Sequence, residues 1–395
     1  MKKKESESFT VPVIYFGMVS FFTDVSTEMM RPIIPLFVVE VLGGSRFILG
    51  FISGLAEAVS YGLRFIAGIL AGITRRYWAL TGLGYFLSTI SKPLTGAAPT
   101  WHWAALTIST DRVGKAIRTP ARDTLLASIG RKEVLGRVFG IHRFLDQLGA
   151  VLGPLITTSL LWFFILNYRT IIYLTTIPGL LSVFILWLAY RRFSTRIEIV
   201  EAKVSLERFK EVVKELSPIL ILIVVYGLGF LHINFLIDRA RAGFLVTSYI
   251  AVLLYCVTQL FHAFSGLYFG KLLDRLGLII LYIPVISLIF SSILSLYTIF
   301  PMCILLSFML YGIHEGVYEV SWRALVGKIV SSEMRSVAYG LYHMVFGFSI
   351  LLGSLIVGYL YEHFSYNYAI FYVISLQLIV AVTLALTLKK KAVKY

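Results

Sequence analysis

Of 395 residues, 58% are hydrophobic and only 14% are charged, with a mean hydropathy of +0.84. A soluble domain needs a shell in which about a quarter of the residues are charged, so lipid must replace water around most of this chain. Spans of about 20 residues each fill the length and leave no room for a separate catalytic domain.

The chain starts with Lys2, Lys3 and Lys4, followed by an apolar run that contains Pro12 and leads into Asp24. No small-residue cleavage site follows, which predicts a retained first helix rather than a signal peptide. Breaks in the hydropathy predict spans over 11–40, 46–72, 78–98, 101–119, 135–165 and 168–190. A second set is predicted over 218–237, 245–270, 278–299, 301–326, 336–361 and 366–388. Pro32, Pro35 and Pro154 are expected to bend the first and fifth.

Charges inside these spans are costly and need partners or a wet cavity. Asp24 and Glu28 lie one turn apart on the first span, which suits a pair that loads and releases protons, or a structural pair held by Arg31. Glu57 and Arg64 share a face of the second span, as an ion network or a substrate contact. Lys92, near the end of the third, is expected to snorkel. Asp111 and Arg112 sit halfway along the fourth, and Arg112 is expected to reach Asp146 or Glu57. Pro120 is expected to end that helix, with Arg118, Arg122, Asp123, Arg131, Lys132 and Arg137 forming a basic cluster. On the fifth span Arg143 and Asp146 are spaced to pair.

The polar stretch 191–217 carries Leu206, Phe209, Val212, Val213 and Leu216 at helical spacing, which predicts an amphipathic linker on the membrane surface. The expected organisation is a six-helix bundle over 1–190, this linker, and a second bundle over 218–395. Beyond the linker, His232, Asn234, Gln259, His262 and His343 read as interhelical hydrogen bonders. Tyr226, Phe230, Tyr311 and Tyr342 are expected to line a cavity. Glu315 and Glu319 lie four apart beside His314, but Tyr318 stands where a zinc-hydrolase motif needs its second histidine. Cys256 and Cys303 fall in apolar runs, and no zinc-type spacing or nucleophile–base motif occurs, so neither a cofactor nor catalysis is expected.

Of the 36 Lys and Arg residues, Arg46, Arg169, Arg239 and Arg241 lie on the odd-numbered connections. Arg31, Arg64, Lys92, Arg112 and Arg143 lie within spans. The remainder sit at the termini or on the even-numbered connections, which places both termini in the cytoplasm and assigns the net charge of +15 to orientation rather than to nucleic acid. The halves repeat at a spacing of 200 residues: Gly140 with Gly340, and Gly153 with Gly353. A parallel six-span repeat points to a carrier with its solute site between repeats.

These residues resemble the major facilitator superfamily across the whole chain. Gly270, Asp274, Arg275 and Gly277 fit its G-x-x-x-D-R-x-G motif, which implies a cytoplasmic gate. The first-half copy keeps Gly68 but has Gly72 where the aspartate belongs. Gly149, Gly153 and Pro154 resemble the Gly-Pro motif of the superfamily's exporters, which implies a hinge. The block Asp111 to Asp123 resembles one exporter-like branch, and Arg112 occupies a position where proton-linked members often carry arginine. The resemblance implies an all-α membrane fold of twelve transmembrane helices in two pseudo-symmetric bundles, working as a monomer in the plasma membrane. The expected function is proton-coupled efflux of small organic cationic or neutral solutes, using Asp24, Glu28, Glu57, Arg112, Asp146 and Glu315. A divalent-metal carrier of the same fold and a non-transporting membrane sensor are the alternatives.

Overall fold

The computed structural model describes residues 2–129, 135–195, 206–297, 300–329 and 335–392. Among them the chain is helical nearly throughout. The first rod is α1 (Lys2–Met30), continued by a 3-10 turn at Arg31–Ile33 and a π-helical segment at Phe37–Val41. Pro32 and Pro35, which cannot donate to a helical ladder, occupy this irregular stretch, and Gly43 at φ 65° turns the chain after it. Then follow α2 (Arg46–Thr74), α3 (Tyr77–Gly96), α4 (Trp101–Ile129), α5 (Leu135–Phe163) and α6 (Tyr168–Phe193).

The seventh rod, α7, is broken into Leu206–Leu228 and Ile233–Gly243. It is followed by α8 (Ser248–Leu276), a 3-10 turn at Gly277–Leu281, α9 (Tyr282–Leu294), α10 (Pro301–Ile329), α11 (Arg335–His363) and α12 (Tyr366–Ala392). These rods coincide with the twelve expected spans. Two expectations need correction. Pro120 does not end α4, which runs on to Ile129; the Thr119 hydroxyl donates to the Lys115 carbonyl at 2.6 Å one residue before the carbonyl that Pro120 leaves without its donor. The linker expected over 191–217 is not separate from the seventh span, because its second half is the start of α7; residues 196–205 lie outside the described ones.

Among the described residues, eight helices are long and apolar enough to cross a membrane, and α9 adds a shorter apolar one. The exceptions are α1, α3 and α4, where ionisable or small polar side chains replace apolar ones. The polar spans therefore belong to the first half.

The chain forms two compact units: Met1–Ile33 with Leu63–Val204, and Ile34–Gly62 with Ser205–Tyr395. The segment Ile34–Gly62, which lies in the first half of the sequence, thus groups with the second. In the first unit, α1 packs on α5 and α6, and α3 on α4. Glycines set these contacts. A Cβ at Gly153 would meet the Met29 amide at 2.8 Å, and Gly149 faces the Phe21 carbonyl and the Asp24 side chain. Gly84 and Gly114 face each other's carbonyls across α3 and α4.

The second unit repeats the pattern, with α7 on α11 and α8 on α10. Gly353 abuts the Gly227 and Leu228 carbonyls of α7, as Gly153 abuts α1. The 200-residue repeat therefore marks equivalent helix contacts, where the missing side chain lets two backbones meet. Gly50 and Gly54 of α2 abut Ser354 and Leu351 of α11, which is why the start of α2 belongs to this unit.

Candidate functional site

In the first unit the polar groups converge where α1, α3, α4 and α5 meet. Asp24 of α1 lies within hydrogen-bonding range of the Asp146 carboxyl on α5, with Lys115 and Glu28 as its other charged neighbours. The close approach of α5 at Gly149 brings the two aspartates together. Asp146 also accepts from Arg143 at 2.8 Å, as the spacing predicts. Glu28 is buried and pairs with Arg31 at 3.5 Å.

Between α3 and α4, Lys92 is 1% exposed. It does not snorkel, because its ammonium donates to the Ser88 carbonyl at 2.8 Å and faces Asp111 at 3.5 Å. Arg112 does not pair with Asp146, as one expectation had it, but stays with Asp111 at 3.7 Å. Asp111 thus serves two buried cations at once. Arg118 donates to Ser88 and stacks over Tyr85, 4.7 Å from the ring centroid. Arg122 pairs with Asp123 at 2.8 Å and donates to Ser20, whose hydroxyl also meets His142 at 2.8 Å. Arg131, Lys132 and Arg137 of the expected basic cluster lie outside the residues whose side chains are described.

Sequence reasoning passed over Lys115 and the links from Ser20 to Arg122 and His142. The signal was present: Asp111, Lys115, Arg118 and Arg122 recur at steps of four and three residues, which puts them on one helix face.

In the second unit Glu57 faces His232 at 3.8 Å, and Asn234 donates to Ser53 at 2.8 Å. Both partners lie at the break in α7. His232 caps the segment Ile233–Gly243 by accepting from the Asn234 amide. The carbonyls freed by the break are taken by Gln377, which donates to Gly229 at 2.9 Å, and by Tyr311, which donates to Leu231 at 2.7 Å. A break in an apolar span is tolerated only when its backbone groups are satisfied in this way.

Glu315 and Glu319 of α10 flank His262 of α8 at 3.7 and 3.6 Å. His314 contacts the Pro284 carbonyl at 2.9 Å. Tyr226, Phe230, Tyr311 and Tyr342, expected to line a cavity, are instead core residues, each at most 4% exposed. They stack with His314, Tyr318 and Phe346, because aromatic rings fill the space between α7, α10 and α11. The helix bearing Gly270, Asp274 and Arg275 is described, as is the turn starting at Gly277, but their side chains lie outside the described residues.

One further group lies around the connection between α1 and α2. Arg46 pairs with Asp238 at 3.3 Å, and its amide donates to Glu362 at 2.7 Å. Arg241 pairs with Glu40 at 3.0 Å, and Arg239 stacks over Tyr366. With Arg169, which donates to the Gly96 and Ala98 carbonyls, every arginine on an odd-numbered connection is engaged.

Helical passes with partnered ionisable groups at membrane depth define a multi-pass membrane protein. The sequence model of the Major Facilitator Superfamily matches residues 16–302 and 219–394. The chain belongs to that superfamily. It is 32% identical to an uncharacterized MFS-type transporter of Methanocaldococcus jannaschii over 89% of this chain and 88% of the relative. It is 28% identical to the multidrug resistance protein MdtH of Proteus mirabilis, over 43% of this chain and 42% of the relative. Among solved structures, the nucleoside transporter NupG superposes with a TM-score of 0.75 at 16% identity, over 96% of this chain and 98% of that one. A POT family transporter in complex with a thioalcohol-conjugated peptide gives 0.77 at 13% identity, over 96% of each chain. At such identities the likeness is one of fold.

Proposed function

We propose that the chain is a proton-coupled exporter of small organic solutes that works by alternating access. The observation that carries this reading is the contact between the carboxyl groups of Asp24 and Asp146. An ionised carboxylate only accepts hydrogen bonds, so two carboxyls in contact need one proton between them. That proton can leave when the helices part, and α1 and α5 meet at Gly149 and Gly153, beside Pro154. In this scheme Asp24 and Asp146 hold the proton, Glu28 and Arg112 set the local charge, and Glu57 and Glu315 serve the second unit. Gly270, Asp274, Arg275 and Gly277 latch the cytoplasmic gate, and Gly149, Gly153 and Pro154 form the hinge.

The partial likeness to MdtH supports efflux as the direction. The lysine and arginine distribution supports cytoplasmic termini, and the fold supports a monomer. A preference for cationic solutes would draw on unpaired carboxylates, whereas those described at both sites have polar partners; neutral solutes need none. A divalent-metal cargo finds less support, since the described residues contain no group of three or more His, Cys, Asp or Glu able to hold a metal ion.

The test is solute-dependent proton flux in proteoliposomes loaded with a pH-sensitive dye. Flux should appear in the wild type and vanish in Asp24→Asn. Uphill solute movement that persists after the proton gradient is collapsed would overturn the coupling.

A further inference from the structure

We infer that His142, held by Ser20, relays the proton between the Asp24–Asp146 pair and the cytoplasmic side of the first unit. The inference rests on the proton-coupling reading above and supplies that pair with a route. It starts from a second contact between the same two helices. Ser20 precedes Asp24 by four residues on α1, and His142 precedes Asp146 by four on α5. The two layers are therefore one helical turn apart, about 5.4 Å. In the first, the Ser20 hydroxyl meets the His142 Nε2 at 2.8 Å; in the second, the two carboxyl groups meet. Both helices run away from the cytoplasm in the orientation proposed above, so the layer of Ser20 and His142 is the nearer to it.

The surroundings of Ser20 suit a histidine that changes its charge. Ser20 is 1% exposed and His142 4%, so both depend on protein partners. Arg122 donates to the Ser20 hydroxyl at 3.3 Å, and the Tyr85 hydroxyl lies 3.4 Å from it. Arginine only donates, which leaves Ser20 one lone pair and one proton to share between His142 and Tyr85. With a neutral ring, Ser20 donates to Nε2 and accepts from Tyr85. With an imidazolium, Nε2 donates to Ser20, and Ser20 donates to Tyr85. Rotation of two hydroxyls accommodates either state. A bond that only ties α1 to α5 needs one of these arrangements, and Tyr85 supplies the second.

The charges facing the ring come from two helices. Arg122 of α4 and Arg143 of α5 oppose an imidazolium, whereas Asp146 of α5 and Asp123 of α4 favour it. Lys115 and Glu28 are further charged neighbours of Asp24. In the transfer, one O–H bond of the aspartate pair breaks and one N–H bond of the ring forms. The pair then carries two negative charges and the ring one positive charge. The ring next passes a proton to water on the cytoplasmic side and is neutral again. One bridging water spans the turn between the layers.

The experiment measures how fast the carboxyl proton of the pair exchanges with solvent. Full-length protein in lipid nanodiscs is mixed with deuterium oxide, and the carboxyl C=O stretch is followed by rapid infrared spectroscopy. Asp24→Asn and Asp146→Asn identify the band that belongs to the pair. His142→Gln is the decisive variant, because glutamine keeps a donor and an acceptor for Ser20 but takes up no proton. The band should shift about a hundredfold more slowly in His142→Gln, the lower end of what a positioned proton-transfer group contributes. Ser20→Ala should slow the shift by a smaller factor, and Ser20→Thr, which keeps the hydroxyl, should exchange as wild type does. Melting temperatures check that each variant is folded; if His142→Gln is not, Ser20→Ala against Ser20→Thr carries the test.

Equal exchange in wild type and His142→Gln, or in the two serine variants, would reduce the contact to a structural tie and overturn the inference. The coupling reading would survive that result, since the shared proton would still be seen. If wild type shows no carboxyl band that Asp24→Asn or Asp146→Asn removes, the pair holds no proton, and the coupling reading fails together with the relay.

Discussion

Lys92 in the first unit and His314 in the second are both closed off from solvent, at 1% and 0% exposure, yet they are held differently. Lys92 is seated on a carbonyl and on the carboxylate of Asp111. His314 sits among Tyr226, Phe230, Tyr311 and Tyr318 and bonds to a backbone carbonyl. A lysine can be buried as a charge only beside a counter-charge, whereas an imidazole can be buried neutral with a single hydrogen bond. The first unit is therefore an electrostatic lattice in which each ion depends on its neighbours. The core of the second unit around His314 depends on ring packing.

The largest effect expected from this contrast is at Asp111. Asp111→Asn removes the carboxylate shared by Lys92 and Arg112, and loss of one partner from a buried pair costs about 3–5 kcal/mol. The double variant Asp111→Asn with Lys92→Met should recover a large part of that loss, since no lysine is then left stranded. Urea or thermal unfolding in detergent measures both. Equal destabilisation of the single and double variants would show that Asp111 acts through packing rather than charge, and the electrostatic description of this unit would fail.

Much of this was legible in the sequence. The twelve rods follow from hydropathy breaks because apolar runs long enough to cross a bilayer have few alternatives to helix. The repeat of Gly153 and Gly353 was legible because close backbone contact requires that residue type at both places. Arg143 with Asp146 was legible because both lie on one helix at pairing distance. What a single helix cannot reveal is the partner on another. The seat of Lys92 depends on how closely α3 approaches α4, which Gly84 and Gly114 set. The aromatic residues of α7 looked like cavity lining because periodicity shows a face and not what covers it. The break at residues 229–232 hides in an apolar run, since its compensation by Gln377 and Tyr311 comes from helices far along the chain.

A smaller effect is expected where the two halves of the sequence meet inside the second unit. Arg46 is 33% exposed at its side chain and Asp238 only 6%. Neutralising Arg46 with glutamine leaves a buried carboxylate without its ion pair, whereas neutralising Asp238 with asparagine leaves an arginine that water can still reach. Arg46→Gln should therefore cost more than Asp238→Asn, by about 1 kcal/mol within the range for charged hydrogen bonds. Equal costs in a melting comparison would mean that water reaches both partners. A double-mutant cycle would then return a coupling near the exposed-pair value of about 0.2–1 kcal/mol.

The smallest effect is expected at His314 and would sharpen the comparison most. His314→Phe keeps a ring of similar size in contact with its aromatic neighbours. It removes the Nε2 atom, which is buried and makes no hydrogen bond, and so relieves one cost of burial. Against this stand the two contacts of Nδ1, with the Pro284 carbonyl within α9 at 2.9 Å and with the Tyr226 hydroxyl at 3.3 Å, each worth about 0.5–1.5 kcal/mol. The two terms oppose each other, and the net change should fall below about 1 kcal/mol in thermal unfolding. A loss as large as that of Asp111→Asn would mean that His314 carries a charge balanced by Glu315, its neighbour on α10, and that the second unit too is organised by ions. A near-neutral result would leave aromatic packing as what holds α7, α9 and α10 together at this point, and would confine the electrostatic lattice to the first unit.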